Sequence, residues 1–223
     1  MIPSTREYYP PQSDTQINER ISVQFIQADV RSWQAQVAAF EAAVKFHPNK
    51  TLDTVVAAAG NFSEPYIGLN DDDEEPVLAS LDEDLQEPPT VAWETNTIGL
   101  AFTAKLTQLY FELPATATAT SATGEHKSLL LIASLADYVD VPIMAAYTSS
   151  KYGARGLFRS IRSIFASRGH RVNLMAPWAI PTAMTVDWIR IFRAVGAAEG
   201  HMSQAVMSAL RCASDKDVDG VFF

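Results

Sequence analysis

Tyr147 and Lys151 stand four residues apart in "AAYTSSKYGARGL", Ala145 to Leu157, a stretch that reads as a helix. On a helix that spacing places both side chains on one face. A free phenol ionises near pH ~10, too high for acid–base work at neutral pH. An ammonium beside it favours the phenolate and lowers that value. Ser134 lies thirteen residues before Tyr147, at the end of the apolar run "SLLLIAS". Its hydroxyl can hydrogen-bond the same substrate oxygen that the phenol addresses. The three side chains together would protonate or deprotonate an oxygen at a carbonyl, hydroxyl or enol.

Positioning such a trio takes alternating strands and helices, and the pattern supplies them. "ISVQFIQADV" alternates Ile21, Val23 and Phe25 on one face and predicts a strand. "SWQAQVAAFEAAVKF" carries Trp33, Val37, Phe40 and Val44 at helical spacing, with Ser32 as N-cap. "DTVVAAAG" and "SLLLIAS" are short apolar runs, the mark of strands buried on both faces. "VAWETNTIGLAFTAKLTQLYF" predicts a long helix. Pro142 bars a helix through "DYVDVP", so the next one starts near Ala145 and turns Leu157, Ile161 and Phe165 inward. "RVNLMAP" predicts a strand, "MTVDWIRIFRAVG" and "MSQAVMSALRCAS" helices, and "GVFF" a last short strand. This alternation is that of an α/β domain with a parallel sheet.

The 223 residues suggest one domain, with residues 1–20 as an irregular leading segment and 21–223 as the folded part. Two stretches interrupt it: an acidic segment near 70–90 and a low-complexity loop, "PATATATSATGEHK", near 114–127. The acidic stretch "NDDDEEPVLASLDEDLQEPP" holds nine carboxylates, as many as the formal net charge of -9. It reads as a solvated surface loop. So acidic a chain repels phosphate, which argues against a nucleic-acid partner. No apolar run is long enough to span a membrane. The single cysteine, Cys212, fits a reducing, cytoplasmic setting, and His47, His126, His170 and His201 show no metal-binding spacing.

Five features together resemble the short-chain dehydrogenase/reductase family: "DTVVAAAG", Asn96 in a helix, Ser134 at a strand end, Tyr147-x-x-x-Lys151, and "NLMAPW". The likeness runs from about Ile21 to Phe223 and is strongest to the fungal, prostaglandin-dehydrogenase-like branch. It implies a Rossmann-like, doubly wound parallel sheet. It makes Tyr147, Lys151, Ser134 and Asn96 catalytic, with Asn96 holding a water in a proton relay towards Lys151. It makes Asp29, Ala59, Gly60 and Thr182 cofactor contacts or relics of them. It also implies a homodimer through the helices near 91–111 and 146–166. Trp178, Met184 and Trp188 are candidate walls of a substrate pocket.

The resemblance has a gap. Family members begin with a strand, a glycine-rich turn that binds the cofactor's diphosphate at a helix N-terminus, and a second strand. No glycine precedes Gly60 in this sequence, and Ala58 stands where the family usually carries Asn. The fold expected is therefore a truncated form of the family's sheet, lacking those first elements. An apolar edge left bare is a liability, so "SVQFIQ" is expected to pair with "TVVAAA" through a right-handed crossover, or a second chain to cover the edge. The sequence favours a non-redox enzyme, with no cofactor, that isomerises, cyclises or performs an aldol-type step on a small, secondary-metabolite-like substrate. The alternatives are an NAD(P)-dependent oxidoreductase with an atypical site and a non-catalytic dimer partner.

Overall fold

In the computed structural model, residues 22–62, 87–114, 126–142, 144–194 and 196–220 are described. The leading segment, nearly all of the acidic stretch, the centre of the low-complexity loop and residues 221–223 of the expected last strand lie outside them.

The sheet has three parallel strands: β1 (Thr54–Ala57), β2 (Ser128–Ile132) and β3 (Arg171–Met175), in the order β1-β2-β3. Its register pairs Thr54 with Ser128, and Ser128 with Arg171. Parallel strands need long crossovers, and helices supply them. α1 (Trp33–Phe46) precedes β1. Between β1 and β2 runs a continuous helical rod made of α2 (Val91–Trp93), a π-helical segment (Glu94–Gly99) and α3 (Leu100–Phe111). α4 (Ala145–Ala166) joins β2 to β3, and α5 (Val186–Ala194) and α6 (Met202–Ser214) follow.

The side-chain period of two divides β2 and β3 between two cores. Leu129, Leu131, Val172 and Leu174 pack with Leu100, Ala104 and Phe111 of α3 and Ala154, Phe158 and Phe165 of α4. Leu130 and Met175 face the other way, towards Cys212 of α6 and Val218. Helices thus cover both faces, as in a doubly wound sheet, and near-continuous apolar strands follow from that. Beyond α6 the chain returns along β3, where the Gly220 amide donates to the Val172 carbonyl at 3.1 Å.

Helix α1 begins where expected, with the Ala35 amide donating to the Ser32 hydroxyl at 3.2 Å. Its apolar face meets the rod through Trp33 on Phe102 (centroids 5.4 Å apart) and Phe40 on Tyr110 (5.3 Å). Buried Gln36 adds a polar tie: its amide donates to the Val30 and Gly99 carbonyls and accepts from the Thr103 hydroxyl. Gly153 of α4 sits where a Cβ would lie 2.8 Å from Thr97 Cγ2, so glycine lets α4 press onto the π-helical segment.

The pairing of "SVQFIQ" with β1 does not occur. Residues 22–29 form no strand, Val23 and Phe25 are 85% and 88% exposed, and among the described residues β1 pairs only with β2. The reason is physical. A turn closed by the Ser32 amide on the Asp29 carbonyl leads straight into α1. The apolar face of α1 packs on the rod, and the alternating residues before it stay in solvent. Val56 on β1 stays half exposed. Among the described residues, no helix is long and apolar enough to cross a membrane.

Candidate active site

The carboxyl ends of the three strands converge on the residues singled out from the sequence, where ligands bind in open α/β sheets. β2 delivers Ser134 just past its last residue. Ser134 has extended backbone and caps the one-turn 3-10 helix Leu135–Asp137 by accepting from the Ala136 amide at 3.2 Å. α4 starts after Pro142 and brings Tyr147 and Lys151 to the same place. Tyr147 is hydrogen-bonded to Ser134. The Lys151 ammonium lies 5.6 Å from the centre of the Tyr147 ring and donates to the Ile132 carbonyl at 3.1 Å. The spacing-based trio is therefore a spatial cluster.

Asn96 sits in the π-helical segment, a local widening of the helix that often accompanies functional sites. Its Nδ2 donates to the Asn61 carbonyl at 2.8 Å and to the Ser150 hydroxyl at 2.9 Å, and its Oδ1 accepts from the Asn61 amide at 2.8 Å. The side chain thus clamps the loop after β1 to α4. It also approaches Lys151 across Gly60, whose Cβ position lies 3.6 Å from Asn96 Oδ1 and 3.8 Å from Lys151 Nζ.

The electrostatics differ from the sequence expectation. Burial pushes the Tyr147 phenol up; the hydrogen bond from Ser134 pulls it back, and the charge of Asp137 adds to the rise. Lys151 does not drag it down. Instead burial pulls the ammonium itself down to about 8, against the opposing field of Asp137. At neutral pH the pair holds its protons, so the site stands as a proton donor.

A cavity of about 500 Å³ opens over the trio. Ser134, Tyr147, Lys151, Gly60 and Thr182 line it, and its walls include the three expected from the sequence, Trp178, Met184 and Trp188. The lining is predominantly apolar. Phe62 stacks obliquely on Tyr147 (5.2 Å) and edge-on to Trp188 (5.8 Å), and Trp178 packs on Phe192 at 5.0 Å. Two residues named as cofactor contacts lie elsewhere. Asp29 is outside the lining and bound to Arg31 at 2.7 Å, which holds its carboxyl down at about 2, and Ala59 is exposed outside the lining.

Three participants were missed. Ser150 links Asn96 to α4 by donating to the Tyr147 carbonyl at 2.6 Å; its signal was a small hydroxyl one helical turn after Tyr147. Phe62 follows the Ala-Gly-Asn turn after β1 and carries no periodicity. Asp137 is a fully buried carboxylate three residues after Ser134.

A profile of the short chain dehydrogenase family matches residues 11–190. The chain is 36% identical over 207 residues to a 5'-hydroxyaverantin dehydrogenase of Dothistroma septosporum, covering 89% of this chain and 65% of that protein. It is 38% identical over 175 residues to a 5'-hydroxyaverantin dehydrogenase of Emericella nidulans, covering 76% and 55%. The chain thus spans less than two thirds of the length of these relatives. Among solved structures, 4-hydroxyisoleucine dehydrogenase complexed with NADH superposes with a TM-score of 0.63 over 89% of this chain and 77% of that one, at 19% identity. With the Ser134, Tyr147 and Lys151 cluster in place on a doubly wound sheet, the chain belongs to the short chain dehydrogenase family.

Proposed function

We propose that this protein interconverts an alcohol and a carbonyl on an apolar small molecule, using NAD(P). The observation that carries the reading is the hydrogen-bonded Ser134–Tyr147 pair beside a buried lysine, at the floor of an apolar cavity. The relatives named above are dehydrogenases, which supports a redox reaction over the isomerase or cyclase favoured from the sequence. That earlier preference rested on the missing glycine-rich turn. The chain spans only part of its relatives, so the turn carries no argument about the reaction.

The residues present fit the nicotinamide–ribose end of such a cofactor. Lys151 has three N–H donors and, among the described residues, uses one, on Ile132. Gly60 leaves its side of the cavity open beside that ammonium, and Thr182 lines the same wall. Lys151 would hold the ribose hydroxyls and Thr182 the carboxamide. When bound, the nicotinamide would supply or accept a hydride at the substrate carbon.

The protein's own part is proton transfer and placement. Ser134 holds the substrate oxygen within reach of the Tyr147 phenol. Tyr147, kept protonated by burial, donates to that oxygen as the carbonyl is reduced; in the reverse direction its phenolate accepts the hydroxyl proton. The apolar and aromatic walls exclude water and select a greasy substrate. Titration with NADH and NADPH, followed by nicotinamide fluorescence, checks the cofactor assignment. Saturable enhancement that Lys151→Met weakens at least about tenfold is expected; no enhancement with either nucleotide contradicts it.

A further inference from the structure

Asp137 is the one buried acidic side chain among the described residues, and neither carboxylate oxygen has a hydrogen-bond partner there. Buried carboxylates are ordinarily paired, because an unpartnered one is costly. The cations that act on it, Arg155 and Lys151, form no ion pair with it among the described residues. Arg155 of α4 donates instead to the backbone carbonyl of Asp137 at 2.7 Å and stacks its guanidinium 3.9 Å from the centre of the Tyr138 ring. This pins the turn after Ser134 to α4, while both carboxylate oxygens stay without a hydrogen-bond partner among the described residues.

The charged and titratable groups in its field are few. On α4 they are Tyr147, Lys151 and Arg155; on its own turn it is Tyr138. Among the described residues, no other carboxylate acts on Lys151. A negative charge there raises the proton affinity of both Lys151 and Tyr147, since it favours the ammonium and disfavours the phenolate.

We propose that Asp137 is a positioning residue for the proton chemistry: its unpaired carboxylate keeps Lys151 as ammonium and Tyr147 as phenol, loading the site for proton delivery. The idea rests on the acid–base reading above for its purpose, but not for its test. Burial raises Asp137 itself to about 6, so the control operates above that pH and fades below it.

The test uses no substrate or cofactor. The phenolate absorbance of Tyr147 is isolated as the difference between the chain and its Tyr147→Phe variant, then repeated with Asp137→Asn in both. The Tyr147 phenolate is expected to appear at lower pH in the Asp137→Asn background, about threefold more of it at the onset of ionisation. An unchanged midpoint overturns the proposal. A second measurement keeps it testable if Asp137→Asn folds poorly. In the unsubstituted protein carrying ¹³C-labelled lysine, the Cε resonance absent from Lys151→Met should inflect as Asp137 takes up its proton. A flat resonance across that range overturns it. Failure here leaves the redox reading standing, and failure to bind nucleotide leaves the titration result untouched.

Discussion

The two ends of the sheet both bury charge, and they treat it in opposite ways. At the amino end, Arg171 opens β3 at 4% exposure and donates to the carbonyls of Cys212, Ala213 and Val218. It closes the C-terminus of α6, where unpaired carbonyls and the helix dipole favour a cation. Lys127 beside it donates to the Phe111 carbonyl at the end of α3 and lies over the Phe111 ring. At the carboxyl end, among the described residues, Lys151 makes one hydrogen bond and Asp137 none to its carboxylate. Arg171 spreads its hydrogen bonds over a helix end and holds it in place, whereas the bare carboxylate of Asp137 keeps its capacity for protons. The comparison separates a structural pole from a chemical one within a single sheet.

The largest effect that tests this contrast is on rate. Tyr147→Phe removes one hydroxyl and is expected to lower turnover by about 10²–10⁴-fold, with the melting temperature nearly unchanged. The mirror-image variant is Arg171→Met. It removes three hydrogen bonds, with Ser128 still donating to the Cys212 carbonyl and Asn173 to that of Val218, and should lower stability by about 2–4 kcal/mol in a denaturant titration, with activity per folded molecule retained. If Arg171→Met instead abolished turnover in folded protein, the two poles would not be separable.

A smaller effect is the pH dependence of stability. Lys151 is protonated up to about 8 in the fold, against 10.5 for an ordinary lysine. Between those values the unfolded chain binds the extra proton, so stability rises with pH across that window. Melting curves should show the unsubstituted protein gaining on Lys151→Met from about 8 upward, and parallel behaviour would contradict the burial of that charge. The smallest effect lies far from both poles. Ser32→Ala removes the cap of α1 and should lower stability by about 1 kcal/mol without touching turnover.

The sequence made much of this legible because apolar strands and amphipathic helices announce themselves by period. β2 and β3, the long rod, the break at Pro142 and the start of α4 all stand where the pattern put them. The site trio was legible because Tyr147 and Lys151 share a helix turn and Ser134 ends a buried strand. "SVQFIQ" misled because alternation records what a segment could bury, not where the chain takes it: the turn at Asp29 leads straight into α1. The direction of the Tyr147 shift was misjudged because burial is a tertiary property: a lysine four residues away reads as a charge, and only the fold shows both groups desolvated. Asp137 was invisible for the same reason, since an acid in a loop reads as solvated until the packing of α4 covers it.

The central claim is that the Tyr147 proton chemistry serves a redox reaction. The direct measurement is stoichiometry: reduced nicotinamide consumed against alcohol formed, with a panel of apolar aromatic ketones, for the unsubstituted protein and Tyr147→Phe. One cofactor oxidised per alcohol formed, with the rate lost in Tyr147→Phe, is the predicted result. Substrate converted to an isomer or cyclised product with no cofactor consumed, or an equal rate in Tyr147→Phe, would contradict it.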